Sequence, residues 1–429
     1  MTKAKATKAE KPKKLTKKAV KKPETKKKKV DPKLLPEINI GALGHVDHGK
    51  STLVEAITGK WTASHSEELK RGITIRLGYA DATIYKCDKC GQLMTTDKCL
   101  KCMSACTPER TVSFVDAPGH ETLMATVLAG ASLMDGAILI IAANETCPQP
   151  QTQEHLMTLQ IAGIKNIIIV QTKVDVVSVE EVKKNYLQIK NFVKGSVAEG
   201  VPIIPVSSQK KINIDKVLEA LQENIPTPER GKGDPRMLVV RTFDVNKPGV
   251  DVADLSGGVL GGSILEGELK VGDEIEIRPG VRKGNRWIPL ITKVCGLKKS
   301  KFNLDKAGPG GLLGVMTGID PSLSKADSLS GNAIGLKGKL PEALSVISLK
   351  VNLFDKLIGK GDKIFPIKTD EMLMISVGTG RTVGVVKNVK KGIVETSLKL
   401  PVVAEKGSRV AISRRVADRW RLIGWGTLE

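Results

Sequence analysis

The residues best suited to chemistry stand in four short clusters. Gly44-His45-Val46-Asp47-His48-Gly49-Lys50-Ser51 fits G-x4-G-K-[ST] and lies between an apolar run at 38–43 and a helical run at 52–58. In that setting the glycines let the backbone curl round a phosphate, with N–H groups and a helix N-terminus facing the anion. Lys50 would reach the β and γ phosphates, and the Ser51 hydroxyl would ligate Mg2+. Asp116-Ala117-Pro118-Gly119 follows a second apolar run, bringing a carboxylate to the Mg2+ shell and a flexible glycine to the γ-phosphate. Thr172-Lys173-Val174-Asp175 follows a third, where an Asp carboxylate can accept hydrogen bonds from the N1–H and exocyclic amine of guanine, which adenine does not offer. Ser207-Ser208-Gln209 follows a fourth, with a backbone N–H for the guanine O6. Each motif alone is weak; four in this order, each at the carboxyl end of a strand, point to a guanine-nucleotide switch.

Other residues extend this chemistry. Thr74, in Arg71-Gly72-Ile73-Thr74-Ile75, stands between the phosphate loop and Asp116 and could bind Mg2+ and sense the γ-phosphate, or be a plain strand residue. His120 directly follows Gly119, where it could position a water for hydrolysis or be a helix-capping or solvated side chain. Asp47 could help hold a second cation or only support the loop. Cys87-x2-Cys90-x8-Cys99-x2-Cys102 has the two-knuckle form of a four-cysteine zinc site, closed to catalytic water and therefore structural, with Cys106 as a rival for the last ligand. Cys147 and Cys295 stand alone and read as packed or surface thiols.

These side chains need a scaffold. Apolar runs at 38–43, 111–116, 136–142, 166–171 and 202–206 show little polar alternation, as strands buried on both faces do, and helical spacing at 151–162 and 179–193 separates them. This is an α/β, doubly wound P-loop GTPase pattern over 36–228, with the zinc knuckle at 87–102 crowning an extended hairpin. Beyond 235, helical periodicity gives way to short strands broken by glycine pairs such as Gly257-Gly258 and Gly261-Gly262. Two small β-barrels are expected there, at 235–340 and 341–429. Residues 1–30 hold fourteen Lys and two Glu, so they supply +12 of the formal +22, and 1–35 reads as a disordered Lys-rich tail. The body remains basic, which favours a polyanionic partner. Arg409, Arg414, Arg415, Arg419 and Arg421, interleaved with Trp420 and Trp425, could bind phosphates and stack on bases of a nucleic acid, or form a strand pair with solvated Arg and buried Trp. No membrane span and no secretory signal are present, and the cysteine spacing suits a metal in place of disulfides, so a cytoplasmic location is expected.

GHVDHGKST, RGITI and DAPGH, on such a domain followed by two barrels, resemble the translational GTPases related to elongation factor Tu. KRGITIRLGYA running into the knuckle, AANETCPQPQTQEH, FDVNKPG, GGVLGGSILEG and SRRVADRWRLIGWG resemble, more narrowly, the gamma-subunit family of translation initiation factor 2. The resemblance runs from about residue 38 to the C-terminus, and the compact knuckle and Asp47 look more archaeal than eukaryotic. It implies a GTP-dependent carrier of methionylated initiator tRNA to the small ribosomal subunit, core of a heterotrimer with alpha and beta subunits. Beta would dock on the GTP-binding domain and alpha on the second domain, with the methionyl end read between those two domains. By position it assigns phosphate contacts to Asp47, His48, Gly49, Lys50, Ser51 and Thr52, and Mg2+ to Ser51 and Thr74, with Asp47 and the Gly72 backbone for a second Mg2+. The base falls to Thr172, Lys173, Val174, Asp175, Ser207, Ser208 and Gln209, and Zn2+ to Cys87, Cys90, Cys99 and Cys102. Two positions depart from the family pattern: Thr172 replaces an Asn that reaches guanine and ties down the phosphate loop, and Ser208 replaces Ala. Competing readings are an elongation factor Tu type carrier, which usually lacks the knuckle; a selenocysteine-specific factor, which usually carries further domains; and a nucleotide-binding scaffold that does not hydrolyse GTP.

Overall fold

The computed structural model describes residues 30–62, 74, 77–120, 123–247, 249–251, 255–357, 362–417 and 419–429. The Lys-rich stretch up to residue 29 and Gly72 lie outside them. From residue 30, a 3-10 turn at Pro32–Leu34, capped by the Asp31 carboxylate, leads into the first strand.

Seven strands form the first sheet: β1 (Pro36–Leu43), β2 (Gly78–Cys87), β3 (Leu93–Met94), β4 (Cys106–Asp116), β5 (Gly136–Ala142), β6 (Ile167–Thr172) and β7 (Ile203–Pro205). Their order is β3-β2-β4-β1-β5-β6-β7, with β1 parallel to both β4 and β5, and β2 antiparallel to β4. Every residue of β5 is buried, which is why its sequence shows no polar alternation. Among the described residues five helices cover the sheet: α1 (Lys50–Thr58), α2 (Met124–Ala131), α3 (Pro150–Ala162), α4 (Val179–Phe192) and α5 (Ile214–Asn224). Leu53, Val54 and Ile57 of α1 and Val217, Leu218 and Leu221 of α5 pack on one face. Val127 of α2, Leu156 and Leu159 of α3 and Ile189 of α4 pack on the other. The helices that follow β1 and β4 thus leave on opposite faces, and neighbouring strands that diverge in this way open a crevice at their carboxyl ends. The phosphate loop and the Asp116–Gly119 turn both start there.

Two closed barrels follow. In the first, the ring runs Glu274–Lys283, Ala333–Leu336, Arg236–Phe243, Val259–Glu266, Leu313–Thr317 and Arg286–Lys299, closed by pairing of the first and last. In the second it runs Ala343–Leu353, Ile393–Val403, Gly380–Lys390, Met372–Val377, Arg409–Val416 and Arg419–Leu428. Closure leaves neither barrel with an open edge in its ring. Asn39 of β1 fastens the first barrel to the sheet by donating to Ser263 Oγ at 2.9 Å, and Arg230 grips Asp135 through two bonds of 2.7 and 2.8 Å.

The arginine cluster near the C-terminus is mostly absorbed by packing. Strands Arg409–Val416 and Arg419–Leu428 pair with each other, but Trp420 and Trp425 are half-buried, not buried. Arg414 bonds Glu371 and the Phe365 carbonyl. Arg409 donates to the carbonyls of Gln160 and Ile161 at the end of α3 and lies 5.3 Å from the Trp425 ring, while Arg421 reaches Glu154.

Candidate functional site

The phosphate loop leaves the buried end of β1 and enters α1 through Gly49, whose φ of +79° opens the helix without a side-chain cap. Gly44 has φ +152°, and a Cβ there would stand 2.2 Å from the Ile140 carbonyl oxygen, so only glycine lets the loop cross β5 so closely. Asp47 is exposed at φ +65°. Lys50 is buried, and its ammonium donates to the His45 carbonyl at 2.8 Å, so that the cation lies within its own loop. Burial pushes its pKa down to about 8, against the opposing pull of Asp116 and Asp47. Gly119 closes the loop's other side: a Cβ there would meet Lys50 Nζ at 2.5 Å and the Val46 nitrogen at 2.7 Å.

Ser51, Thr74 and Asp116 come together as the spacing suggested. Ser51 Oγ donates to Asp116 Oδ2 at 2.6 Å and stands 3.2 Å from Thr74 Oγ1. Two hydroxyls and a carboxylate in one place form the hard oxygen donor set that Mg2+ selects. Thr62, which motif reasoning did not single out, also donates to Asp116 Oδ2 at 2.6 Å. His120 is exposed beside Gly119.

His48 is placed differently from a phosphate-contacting side chain. Its ring is buried beneath the loop, 3.0 Å from the Ile140 carbonyl and 3.3 Å from Glu145. Burial, only partly offset by the Ile140 hydrogen bond and reinforced by nearby His45, Lys50 and Lys173, holds its pKa near 3. The neutral ring therefore donates to Ile140 and makes no ion pair with Glu145, leaving only the His48 backbone to face an anion. That backbone is tied from across the crevice, since the buried Thr172 hydroxyl donates to the His48 carbonyl at 2.6 Å. Thr172 thus keeps the loop-tethering half of what an Asn would do there.

Lys173 follows with φ +59°, turning the chain so that Val174 and Asp175 stand half-buried at the carboxyl end of β6. A hydrogen bond from Ser207, followed by the nearby Lys210, holds the Asp175 carboxyl below the usual carboxylate range, so it is an ionised acceptor. Lys210 Nζ lies 3.5 Å from it. Ser207 is buried, Ser208 half-buried and Gln209 exposed, all on the turn after β7.

The four knuckle thiols lie within 4.8 Å of one another at the tip of the β2–β4 hairpin. Cys87 and Cys102 sulfurs are 3.4 Å apart, and Cys90 and Cys99 sulfurs 3.6 Å. Tetrahedral Zn2+ with bonds of about 2.3 Å sets sulfurs about 3.8 Å apart, so the donor set fits that ion. Cys106 is outside this group, its thiol 3.5 Å from the Met94 sulfur.

Three family models match the chain: Elongation factor Tu GTP binding domain over residues 36–227, Elongation factor Tu domain 2 over 257–327, and Initiation factor eIF2 gamma, C terminal, over 345–428. Translation initiation factor 2 subunit gamma of Methanocaldococcus jannaschii is 56% identical over 400 residues, covering 92% of this chain and 97% of that protein. The chain belongs to the gamma-subunit family of translation initiation factor 2. The corresponding protein of Archaeoglobus fulgidus is 55% identical over 403 residues, 92% of this chain and 95% of that one. Among solved structures, a bacterial selenocysteine-specific elongation factor EF-Sec superposes with TM-score 0.71 and 25% identity over 91% of this chain, which spans 58% of that chain. Elongation factor SelB of Methanococcus maripaludis with the GTP analogue GppNHp gives TM-score 0.68 at 23% identity, over 92% of this chain and 79% of that one, a likeness of fold alone. As a member of this translation initiation factor family, the chain is a translational GTPase whose first domain binds GTP and GDP. No helix among the described residues is long and apolar enough to cross a membrane.

In this initiation-factor gamma chain a cavity of about 930 Å³ opens between β2 and the first barrel. Tyr79, Phe243, Leu297 and Met316 line it, with Lys60 and Arg241 among its charged groups. Arg241 stands 5.3 Å from the Phe243 ring, and the Tyr79 hydroxyl is buried with no hydrogen-bond partner among the described residues. Sequence reasoning also passed over His155 of α3, which touches the phosphate loop. The one hint was polar Thr152, Glu154 and His155 on a helix whose neighbouring Leu156 and Leu159 are core residues.

Proposed function

We propose that this chain carries methionylated initiator tRNA to the small ribosomal subunit in its GTP state and releases it after hydrolysis, as the core of a heterotrimer with alpha and beta subunits. The observation that carries this reading is identity of 56% to an initiation factor 2 gamma subunit across 92% of the chain, including the C-terminal barrel. In this reading the domains extend over 36–228, 235–340 and 341–429, after a Lys-rich tail at 1–35. The backbone from Asp47 to Thr52 and the Lys50 ammonium hold the phosphates. Ser51 and Thr74 hold Mg2+, with Asp116 in its shell; Asp47 and the Gly72 backbone are assigned to a second ion. Bound Mg2+ would neutralise charge on the β and γ phosphates. Asp175, supported by Thr172, Lys173 and Val174, selects guanine, and Ser207, Ser208 and Gln209 meet its O6. His120, beside Gly119, positions the attacking water. Zn2+ on Cys87, Cys90, Cys99 and Cys102 holds the knuckle.

The cavity between β2 and the first barrel supports a place for the methionyl-adenosine end. Its volume suits a ligand of that size, its apolar wall suits a thioether side chain, and Arg241 over Phe243 offers a stacking platform. Beta would meet the GTP-binding domain and alpha the first barrel. The deciding experiment measures binding of deacylated, methionylated and other aminoacylated tRNAs in GTP-analogue and GDP states, with and without alpha and beta, at fixed salt. A GTP-dependent preference for methionyl-initiator tRNA that strengthens with alpha is expected. Equal binding of all aminoacylated tRNAs would place the protein with elongation carriers, and nucleotide-insensitive binding would leave a scaffold.

A further inference from the structure

Helix α3 touches both the nucleotide loop and the C-terminal barrel, and it does so through adjacent residues. His155 has no exposed surface, and its Nδ1 accepts the Gly44 N–H at 2.7 Å. Gly44 is the first residue of the phosphate loop, so this one bond sets how the loop leaves β1. An Nδ1 that accepts must leave the proton on Nε2, and burial, which drives the ring's pKa down to about 3, keeps it in that neutral form.

The preceding residue faces the other way. Glu154, also buried, pairs at 3.3 Å with Arg421 of the last strand, itself only 14% exposed. At the far end of the same helix, Arg409 of the barrel caps the Gln160 and Ile161 carbonyls. Leu128 of α2 and Ile161 of α3 pack against Ala411 and Leu422 of the barrel. The barrel therefore holds α3 at both ends, and a rigid helix of thirteen residues has little freedom to absorb a shift without moving His155.

The polar layer at the start of α3 is also only partly satisfied by protein groups. Thr152 Oγ1, Glu154 Oε2 and His155 Nε2 are buried and have no hydrogen-bond partner among the described residues. Buried polar atoms left in this state raise the energy of the arrangement that holds them.

From this geometry we infer that His155 is a positioning residue for the phosphate loop, and that α3 carries the seating of the C-terminal barrel to the nucleotide through Glu154 and Arg421. Whatever binds the barrel and strains the Arg421–Glu154 pair would then change how fast nucleotide leaves, without touching the nucleotide.

The test is the dissociation rate of fluorescently labelled GDP from the full chain, with unfolding midpoints recorded alongside. His155→Ala removes the acceptor, whereas His155→Asn returns an oxygen near the Nδ1 position. GDP release is expected to quicken about tenfold in His155→Ala and to return to within about threefold in His155→Asn. Arg421→Met and the milder Glu154→Gln should each quicken release several-fold when His155 is present, and add less than about twofold to His155→Ala. Equal release from the Asn and Ala variants would overturn the positioning role. Barrel-side substitutions that lower the unfolding midpoint but leave release unchanged, or that multiply fully with His155→Ala, would overturn the coupling.

Discussion

Replacing Thr172 with valine tests how the two halves of the nucleotide site are joined. The side chain is buried, and its hydroxyl donates to the His48 carbonyl at 2.6 Å, joining the end of β6 to the phosphate loop. Valine conserves volume, so no cavity arises and the loss is that of the hydroxyl. Depriving a buried carbonyl of its hydroxyl partner costs about 1–3 kcal/mol. That cost divides in a definite way. Without nucleotide the loop can relax and offer the carbonyl to water, so the ligand-free protein loses only part of it. With phosphates pinning the loop, the bound protein loses all of it. The loss of ligand-free stability and the loss of GDP affinity should therefore sum to about 1–3 kcal/mol, the affinity share alone reaching at most about 150-fold. For a unit of this size each kcal/mol of stability corresponds to about 2–4 °C in Tm. The assay pairs GDP titration by calorimetry with thermal melts of the ligand-free chain, using Thr172→Ser as the control that keeps the donor. The reasoning fails if Thr172→Val loses less than about 0.5 kcal/mol in the two measurements combined, or if Ser and Val lose GDP affinity equally.

Two further outcomes follow from the same geometry. The purified chain should hold one equivalent of Zn2+, lost in Cys99→Ser but kept in Cys106→Ser, because the Cys106 thiol lies outside the four-sulfur cluster; elemental analysis decides this, and metal loss from Cys106→Ser would reassign the fourth ligand. Lys50, held near pKa 8 by burial, is charged in the unfolded chain but mostly neutral in the ligand-free fold between about pH 8 and its usual 10.5. The unfolded state then binds more protons, so ligand-free stability should gain from this group as pH rises through that window. Phosphates favour the charged form, so GDP binding at pH 9 should take up a proton and weaken as pH rises; calorimetry in buffers of different ionisation enthalpy reads this directly, and proton release would contradict it.

Much of the site was legible because its parts are contiguous. The phosphate loop, the Asp116–Gly119 turn, the Thr172–Asp175 turn and the knuckle, the parts of the proposed site, each lie within a short stretch of chain, where backbone geometry leaves few choices of residue type. Gly44 and Gly119 are glycine because a Cβ would strike the Ile140 carbonyl or the Val46 backbone nitrogen. The apolar runs likewise announced a sheet buried on both faces, and the glycine-broken segments announced barrels. His48 shows where that legibility ends: nothing local distinguishes a ring facing phosphate from one turned under the loop toward Ile140.

The sequence by itself determined which chemistry the proposed site can draw on: a carboxylate suited to guanine, a phosphate-loop motif, oxygen donors suited to Mg2+ and four thiols suited to Zn2+. Only the tertiary structure decided how these parts are held and what else they touch. Thr62 meets Asp116 across 54 residues, His155 meets Gly44 across 111, and Arg421 meets Glu154 across 267. Such partners carry no spacing rule, because each depends on where whole elements come to rest. The same holds for Arg409 and Arg421, whose partners come only from the packing of α3 against the barrel.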